Sequence, residues 1–328
     1  MNIDIHAHFA PQAMFEYLKR NIGRFPSVEL LHADGAFRLA FAGRKPTRPV
    51  MPRLRDTGQR LQWMSERSID HQVAGGWLDM FGYELPAEEA ADWSRMINEQ
   101  LLKACEGEPR LTPLASVPMQ SGKRAAAVLG EALDAGFRGC MIGAQPKGEG
   151  GNLDDPDLDP FWETAADRGA AVLIHPVFDT TDARIREPDL VNAVARLNDM
   201  TTACARLLFS GHFVKYAGMK AVLTTGGGGL PFVIGRLVRN FHANPGKYAD
   251  PAEGLQQCYF DSLVFQPEAL KFLCDKVGAD RVMLGSDYPF PIGDPVPVKV
   301  VEAADLSNEA KDMILGGTAA KMFGIARP

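Results

Sequence analysis

The chain has no Cys-x-x-Cys pair, no basic surplus and no apolar run near the roughly 20 residues that a membrane-crossing helix needs. Its five cysteines (Cys105, Cys140, Cys204, Cys258 and Cys274) are scattered, several of them within apolar stretches. That pattern fits free thiols in a reducing compartment rather than a disulfide framework or a thiolate metal site. Thirty-five Lys and Arg against 41 Asp and Glu leave a net charge of −6, which argues against nucleic acid as the main partner. The N-terminus lacks the basic-then-apolar pattern of a signal peptide, and His6 and His8 would interrupt one. The expectation is a soluble cytoplasmic protein with no membrane partner. No repeat or low-complexity tract appears. With 46% hydrophobic and 23% charged residues among 328, the chain is long enough for two ordinary domains or for one large α/β barrel.

The opening run Ile3-Asp4-Ile5-His6-Ala7-His8 places two histidines one residue apart at the end of an apolar segment. Side chains at i and i+2 of a strand share a face, so both imidazoles can converge on one ion. Such a nitrogen and oxygen site suits zinc best, with manganese or iron as alternatives. Two more candidate ligands also end apolar runs: His175 in Ala171–Pro176 and Asp287 in Val282–Pro289. Taken singly, His175 before a proline could be a packed residue, and Asp287 could cap the turn that follows it.

Short apolar segments at Ile3–His8, His71–Trp77, Leu111–Pro118, Gly139–Gly143, Ala170–His175, Lys220–Thr225, Cys258–Leu263 and Arg281–Asp287 alternate with helical patterns. The helical patterns lie near 58–67, 88–106, 122–135, 158–168, 188–208, 231–241, 266–277 and 307–323. Eight alternations predict a parallel (β/α)₈ TIM barrel, one domain over residues 1–328. A doubly wound sheet competes, but it favours Gly-x-Gly-x-x-Gly after the first strand, where this chain has His-x-His. Residues 9–57 break the rhythm with prolines and a basic cluster (Arg44, Lys45, Arg48, Arg53, Arg55). We read them as a small inserted subdomain over the barrel mouth. The Gly-, Asp- and Pro-rich stretch 147–159 reads as a mobile loop at the same end. In a parallel barrel the strands' C-terminal ends share one rim, so His6, His8, His175 and Asp287 should meet there. Three histidines plus Asp287, as ligand or proton-handling group, make a sensible catalytic zinc site. Aromatics after strand ends (Trp77, Phe81, Tyr83, Phe290) could sandwich a planar substrate or simply pack. The run Gly226–Gly229 has no Lys-Ser or Lys-Thr after it, so it reads as a tight turn beside the site rather than a phosphate cradle.

These motifs, with Leu153–Pro176, Gly226–Arg236 and the closing Gly285-Ser286-Asp287-Tyr288-Pro289-Phe290-Pro291, resemble the decarboxylase branch of the amidohydrolase superfamily. This is the family of aminocarboxymuconate-semialdehyde decarboxylase and the aromatic-acid decarboxylases. The resemblance covers nearly the whole chain and is weakest between residues 9 and 57. It implies a barrel holding one divalent metal, usually zinc, through His6, His8, His175 and Asp287. It also implies loss of a carboxylate from an aromatic, heteroaromatic or muconate-like acid without an organic cofactor, with Asp287 moving the proton. Arg236 matches an arginine that reaches the neighbouring subunit's site in the family and binds a substrate carboxylate, which implies a homodimer. Arg53 and Arg60 are candidates for a second carboxylate contact.

Two departures stand out. Thr225 precedes the glycine run where the family has histidine, and Phe265 replaces another histidine. Threonine is no base near neutral pH, so direct substrate chelation gains weight, with Thr225 donating a hydrogen bond to a substrate oxygen. His212 precedes the sixth barrel strand, where residues face the opposite rim, and is no obvious stand-in. The rival activity is a hydrolase or hydratase acting on a ring-cleavage product; the rival class is a non-catalytic binding protein.

Overall fold

Strand β1 (Ile3–His8) is buried along its whole length, as a strand walled by neighbours on both faces must be. In this computed structural model, which describes residues 1–146, 151–177 and 182–326, nine further strands follow. They are β2 (Val28–Ala33), β3 (Ala36–Phe41), β4 (His71–Gly75), β5 (Leu111–Pro113), β6 (Gly139–Gly143), β7 (Ala171–His175), β8 (Lys220–Leu223), β9 (Tyr259–Asp261) and β10 (Val282–Met283). All pairings except the β2–β3 hairpin are parallel. The strands form runs β1-β4-β5 and β6-β7-β8-β9-β10. Parallel bridges Ala115–Cys140 and Ala7–Tyr288 join the two seams, and Ile5 N–H donates to Leu284 O at 2.9 Å. The architecture is the predicted (β/α)₈ barrel.

The helices between strands lie close to the predicted segments: Thr57–Glu66, Ala87–Cys105, Gly122–Asp134, Asp159–Asp167, Arg196–Phe209, Leu230–Ala243 and Pro267–Val277. Their apolar stripes pack on the outside of the sheet. Alternate strand residues fill the interior, where Ile3, Ile5, Val73, Met141, Leu173, Val222 and Met283 form one cluster. β1 departs from simple alternation: three steps from Asp4 to Ala7 face two from Gln72 to Ala74. Such a bulge re-aims side chains, which lets Ile3 and Ile5 fill the interior while His6 and His8 turn to the mouth.

Residues 9–57 contain structure that the sequence reading left unspecified. A helix (Gln12–Asn21) precedes the β2–β3 hairpin, whose tip is Asp34-Gly35, both at positive φ as a two-residue hairpin turn demands. Phe15 stacks on Phe37, and Phe25 and Phe41 pack edge-on against Trp93 of the helix Ala87–Cys105. The chain then returns across the barrel mouth at residues 45–48. Of the stretch read as a mobile loop, 147–150 lie outside the described residues. The remainder is anchored: Leu153 is buried, its carbonyl accepts from Trp162 Nε1 at 2.9 Å, and Asp154 pairs with Arg206. No helix among the described residues is long and apolar enough to cross a membrane.

Candidate metal centre

β1, β7 and the segment after β10 deliver His6, His8, His175 and Asp287 to one rim. All four are buried, and one potential ligand atom from each lies within 4.8 Å of all the others. Each imidazole is held from behind through Nδ1. His6 Nδ1 lies 2.6 Å from Asp261 Oδ2, His8 Nδ1 lies 3.1 Å from the Gly76 carbonyl, and His175 Nδ1 lies 2.7 Å from the Pro176 carbonyl. Carbonyl oxygens only accept, so Nδ1 of His8 and His175 carries the hydrogen and Nε2 of the neutral ring is a bare lone pair. These Nε2 atoms point toward Asp287 Oδ1, at 3.1 Å from His8, 3.5 Å from His6 and 4.0 Å from His175. Acceptors gathered this closely need a cation among them. A proton fits poorly at His175. Burial pushes its pKa down to about 3 against the pull of Asp287, and the charges of His8 and His6 add to the fall. Burial likewise lowers His8. The Nε2 atoms of His6 and His175 have no hydrogen-bond partner. Three imidazole nitrogens and one carboxylate are donors that a single divalent ion accepts, so the residues fit a metal.

A carboxylate layer beneath the ligands was missed in the sequence. Asp261, fully buried at the end of β9, accepts from His6 and from the backbone N–H groups of Thr225 (3.0 Å), Gly226 (2.7 Å) and Leu263 (3.3 Å). Asp4, also buried, accepts from Ser286 Oγ (2.6 Å), Ser286 N (3.1 Å), Gln72 Nε2 (2.8 Å) and His6 N (3.1 Å). The available signal was an aspartate inside or closing an otherwise apolar strand. Burial raises the Asp4 pKa to about 6 despite these bonds. For Asp287, burial works upward, yet the surrounding imidazoles of His175, His8 and His6 hold the carboxyl far below the usual range. Asp287 adopts a left-handed backbone (φ 60°), held where its N–H donates to His6 O at 2.8 Å.

Thr225, also left-handed at φ 54°, donates its hydroxyl to the Thr224 carbonyl at 2.7 Å and reaches the site through its backbone N–H on Asp261. Gly226, Gly227 and Gly228 all have positive φ, and a Cβ on Gly226 would stand 2.5 Å from Val264 Cγ1. The run is thus a tight turn. Arg60 is completely buried: its guanidinium donates to Gln72 Oε1 and the His8 carbonyl and lies between the rings of Phe9 and Tyr288. It therefore supports β1 and is not a carboxylate contact. Arg53 is exposed and does not line the cavity described next. His212 bonds Ser210 Oγ at 2.7 Å and faces Asp159, away from the metal centre.

Beside the metal centre opens a cavity of about 660 Å³ lined by His8, His175, Trp77, Phe81, Tyr83 and Phe290 among others. Lys45, Arg48 and Arg196 supply its cations. Arg48 forms a two-pronged pair with Asp79 (3.0 Å for each bond) and lies over the ring of Trp77. The Phe290 and His8 ring centroids are 5.2 Å apart. Trp77, Phe81 and Phe290 line this cavity. Arg236 is exposed on the helix Leu230–Ala243 and is not among the residues lining its own protomer's cavity.

Comparison with known proteins agrees with this geometry. The amidohydrolase family profile matches residues 3–325. The 2-amino-3-carboxymuconate-6-semialdehyde decarboxylase of Dictyostelium discoideum is 32% identical over 333 residues, covering 99% of this chain and 92% of that protein. The crystal structure of 5-carboxyvanillate decarboxylase from Sphingomonas paucimobilis superposes with a TM-score of 0.82 at 22% identity, covering 99% of both chains. That of a Polaromonas dihydroxybenzoic acid decarboxylase, with bound manganese and the inhibitor 2-nitroresorcinol, gives 0.79 at 21% identity, covering 100% of this chain and 98% of the other. The chain belongs to the amidohydrolase family, in the branch that contains 2-amino-3-carboxymuconate-6-semialdehyde decarboxylase.

Proposed function

We propose that this protein is a metal-dependent carboxy-lyase, free of organic cofactors, that removes a carboxylate from an aromatic, heteroaromatic or muconate-like acid. The observation that carries this reading is the convergence of His6, His8, His175 and Asp287 beside a cavity that is both aromatic and cationic. These four residues would hold one divalent ion. Zinc is our choice on the donor set, with manganese, present in the Polaromonas structure, as the alternative. When bound, the ion draws electron density from a substrate oxygen. Trp77, Phe81 and Phe290 sandwich the ring and exclude water. Asp287, held ionised, takes a proton from an acidic substrate hydroxyl or water and delivers it to the carbon bearing the carboxylate. The electrons of the breaking C–C bond remain on that carbon's ring, and carbon dioxide leaves. Thr225 acts through its backbone, fixing Asp261 and hence His6.

The protomer is one barrel domain and works as a homodimer. Support comes from the helix Leu230–Ala243, an apolar segment of which only Leu230 and Pro231 are buried, with Phe232 83% exposed. Arg236 on this helix would reach the partner's cavity. Carbon dioxide release from hydroxybenzoates, hydroxypicolinates and muconates, before and after chelation of the metal, tests the activity. Release that ends on chelation is expected; water addition or hydrolysis with no carbon dioxide would replace this reading with the hydrolase one.

A further inference from the structure

We propose that Tyr83 and Gln145 form an uncharged subsite for a hydroxyl substituent of the substrate, Tyr83 donating to its oxygen and Gln145 accepting its hydrogen. The inference rests on the decarboxylase reading and narrows its substrate class to acids that carry a hydroxyl away from the carboxylate. Both residues line the cavity together with His8 and His175. The Gly143 N–H donates to the Tyr83 hydroxyl oxygen at 3.1 Å. A phenol has one hydrogen of its own to give, and no acceptor among the described residues takes it. Burial pushes the pKa of this phenol up, so the hydroxyl stays a donor at neutral pH. Strand β6 makes room for the contact: a Cβ on Gly143 would stand 3.2 Å from Tyr83 Cε2 and 2.8 Å from Val177 Cγ1. Gly143 pairs in register with His175 of β7, which sets the Tyr83 hydroxyl one strand across from a metal ligand.

Gln145 supplies the complementary half. Its Nε2 donates to Asp199 Oδ1 at 2.9 Å, and Asp199 Oδ2 accepts from Val177 N at 2.9 Å. A carboxylate only accepts, so the amide cannot be turned round, and Oε1 is the end directed away from Asp199. That oxygen has no donor among the described residues, and it is not sealed in the protein as the orphaned atoms of His6 and His175 are. Gly143 and Gln145 lie two residues apart in the chain, about 7 Å at full extension, so the unused phenol hydrogen and the unused amide oxygen serve one part of the cavity wall. A hydroxyl donates and accepts at once and satisfies both. An aromatic amine satisfies Gln145 alone, and an unsubstituted ring displaces water from both and replaces nothing.

Calorimetric binding of benzoate and of its meta- and para-hydroxy and meta- and para-amino derivatives to the zinc-loaded protein tests this without turnover. In these isomers the substituent is too far from the carboxylate for both to chelate one ion. The wild type should bind the better hydroxybenzoate about 10-fold more tightly than benzoate, the scale of two net hydrogen bonds. Tyr83→Phe and Gln145→Leu should each cut that preference to about threefold, and the double variant should bring it within about twofold, all with benzoate affinity kept. The smaller preference for the matching aminobenzoate should survive Tyr83→Phe and vanish in Gln145→Leu, a split that a prop for Gly143 or Asp199 would not produce. A wild type with no hydroxyl preference, or variants that weaken benzoate and hydroxybenzoate in equal proportion, overturn the assignment; the wild-type series decides even where a variant fails to fold. Failure of the decarboxylase reading looks different: no acid would release carbon dioxide, whatever the binding ratios.

Discussion

Replacing Asp261 by asparagine isolates the carboxylate layer beneath the metal ligands. Oδ2 of Asp261 accepts from His6 Nδ1 and Thr225 N, and Oδ1 accepts from Gly226 N and Leu263 N. An asparagine offers one oxygen and one NH₂, so in either orientation its amino group meets N–H donors. Turned toward His6, it makes Nδ1 an acceptor and puts the hydrogen on Nε2, the atom needed for the ion. Turned toward Gly226, it breaks the glycine turn. Each unmade buried hydrogen bond costs about 1–3 kcal/mol, and loss of a partner behind a metal-bound histidine typically costs about 10–100-fold in metal affinity. Titration of metal-free D261N with zinc against a competing chelator, and thermal denaturation of the metal-free protein, read the two effects separately. Both the affinity and the denaturation temperature should fall. Wild-type affinity in a folded D261N would refute the claim that Asp261 sets the His6 tautomer.

Four further outcomes follow from the geometry. Gly226→Ala puts a Cβ 2.5 Å from Val264 Cγ1 at φ +61° and should destabilise by about 1–3 kcal/mol in chemical denaturation. Thr225→His should leave substrate preference unchanged and raise turnover only slightly. A large gain in steady-state rate would show that threonine has no adapted role. Arg236→Ala should raise KM far more than it changes the cavity of an isolated protomer, and dilution below the dimer's dissociation range should mimic it in light scattering and rate. His71 should make the fold acid-sensitive. Burial chiefly, with the charge of Arg110, lowers its pKa from 6.5 to about 4. The unfolded chain therefore takes up this proton first: stability is complete above about pH 6.5 and is lost as pH falls toward 4. Discounted for partial exposure, the effect is about 1–2 kcal/mol, and His71→Gln should remove it from the difference in denaturation midpoint between pH 7 and pH 5.

The barrel was legible because each strand is a short apolar run with both faces buried, and each helix carries a 3.6-residue apolar stripe. The ligands were legible because they end those runs, and the parallel topology sends all such ends to one rim. The β2–β3 hairpin escaped because β2 is largely exposed and its Asp-Gly signal lay in a stretch read only as an inserted subdomain. Asp4 and Asp261 escaped because a buried carboxylate has meaning only through donors brought in from other strands, as with Ser286 and Gln72 on Asp4. Arg60 and Arg53 were weighed as carboxylate contacts from their position near the insertion. Sequence could not reveal that Arg60 points beneath β1, nor that Arg196, on a stripe of core residues, turns into the cavity.

Anomalous X-ray diffraction from crystals of the zinc-loaded protein, collected on both sides of the zinc absorption edge, tests the central claim most directly. The account predicts one peak per chain, bonded to Nε2 of His6, His8 and His175 and to the carboxylate of Asp287. A peak at any other group, or none at these residues in protein that retains activity, would contradict it.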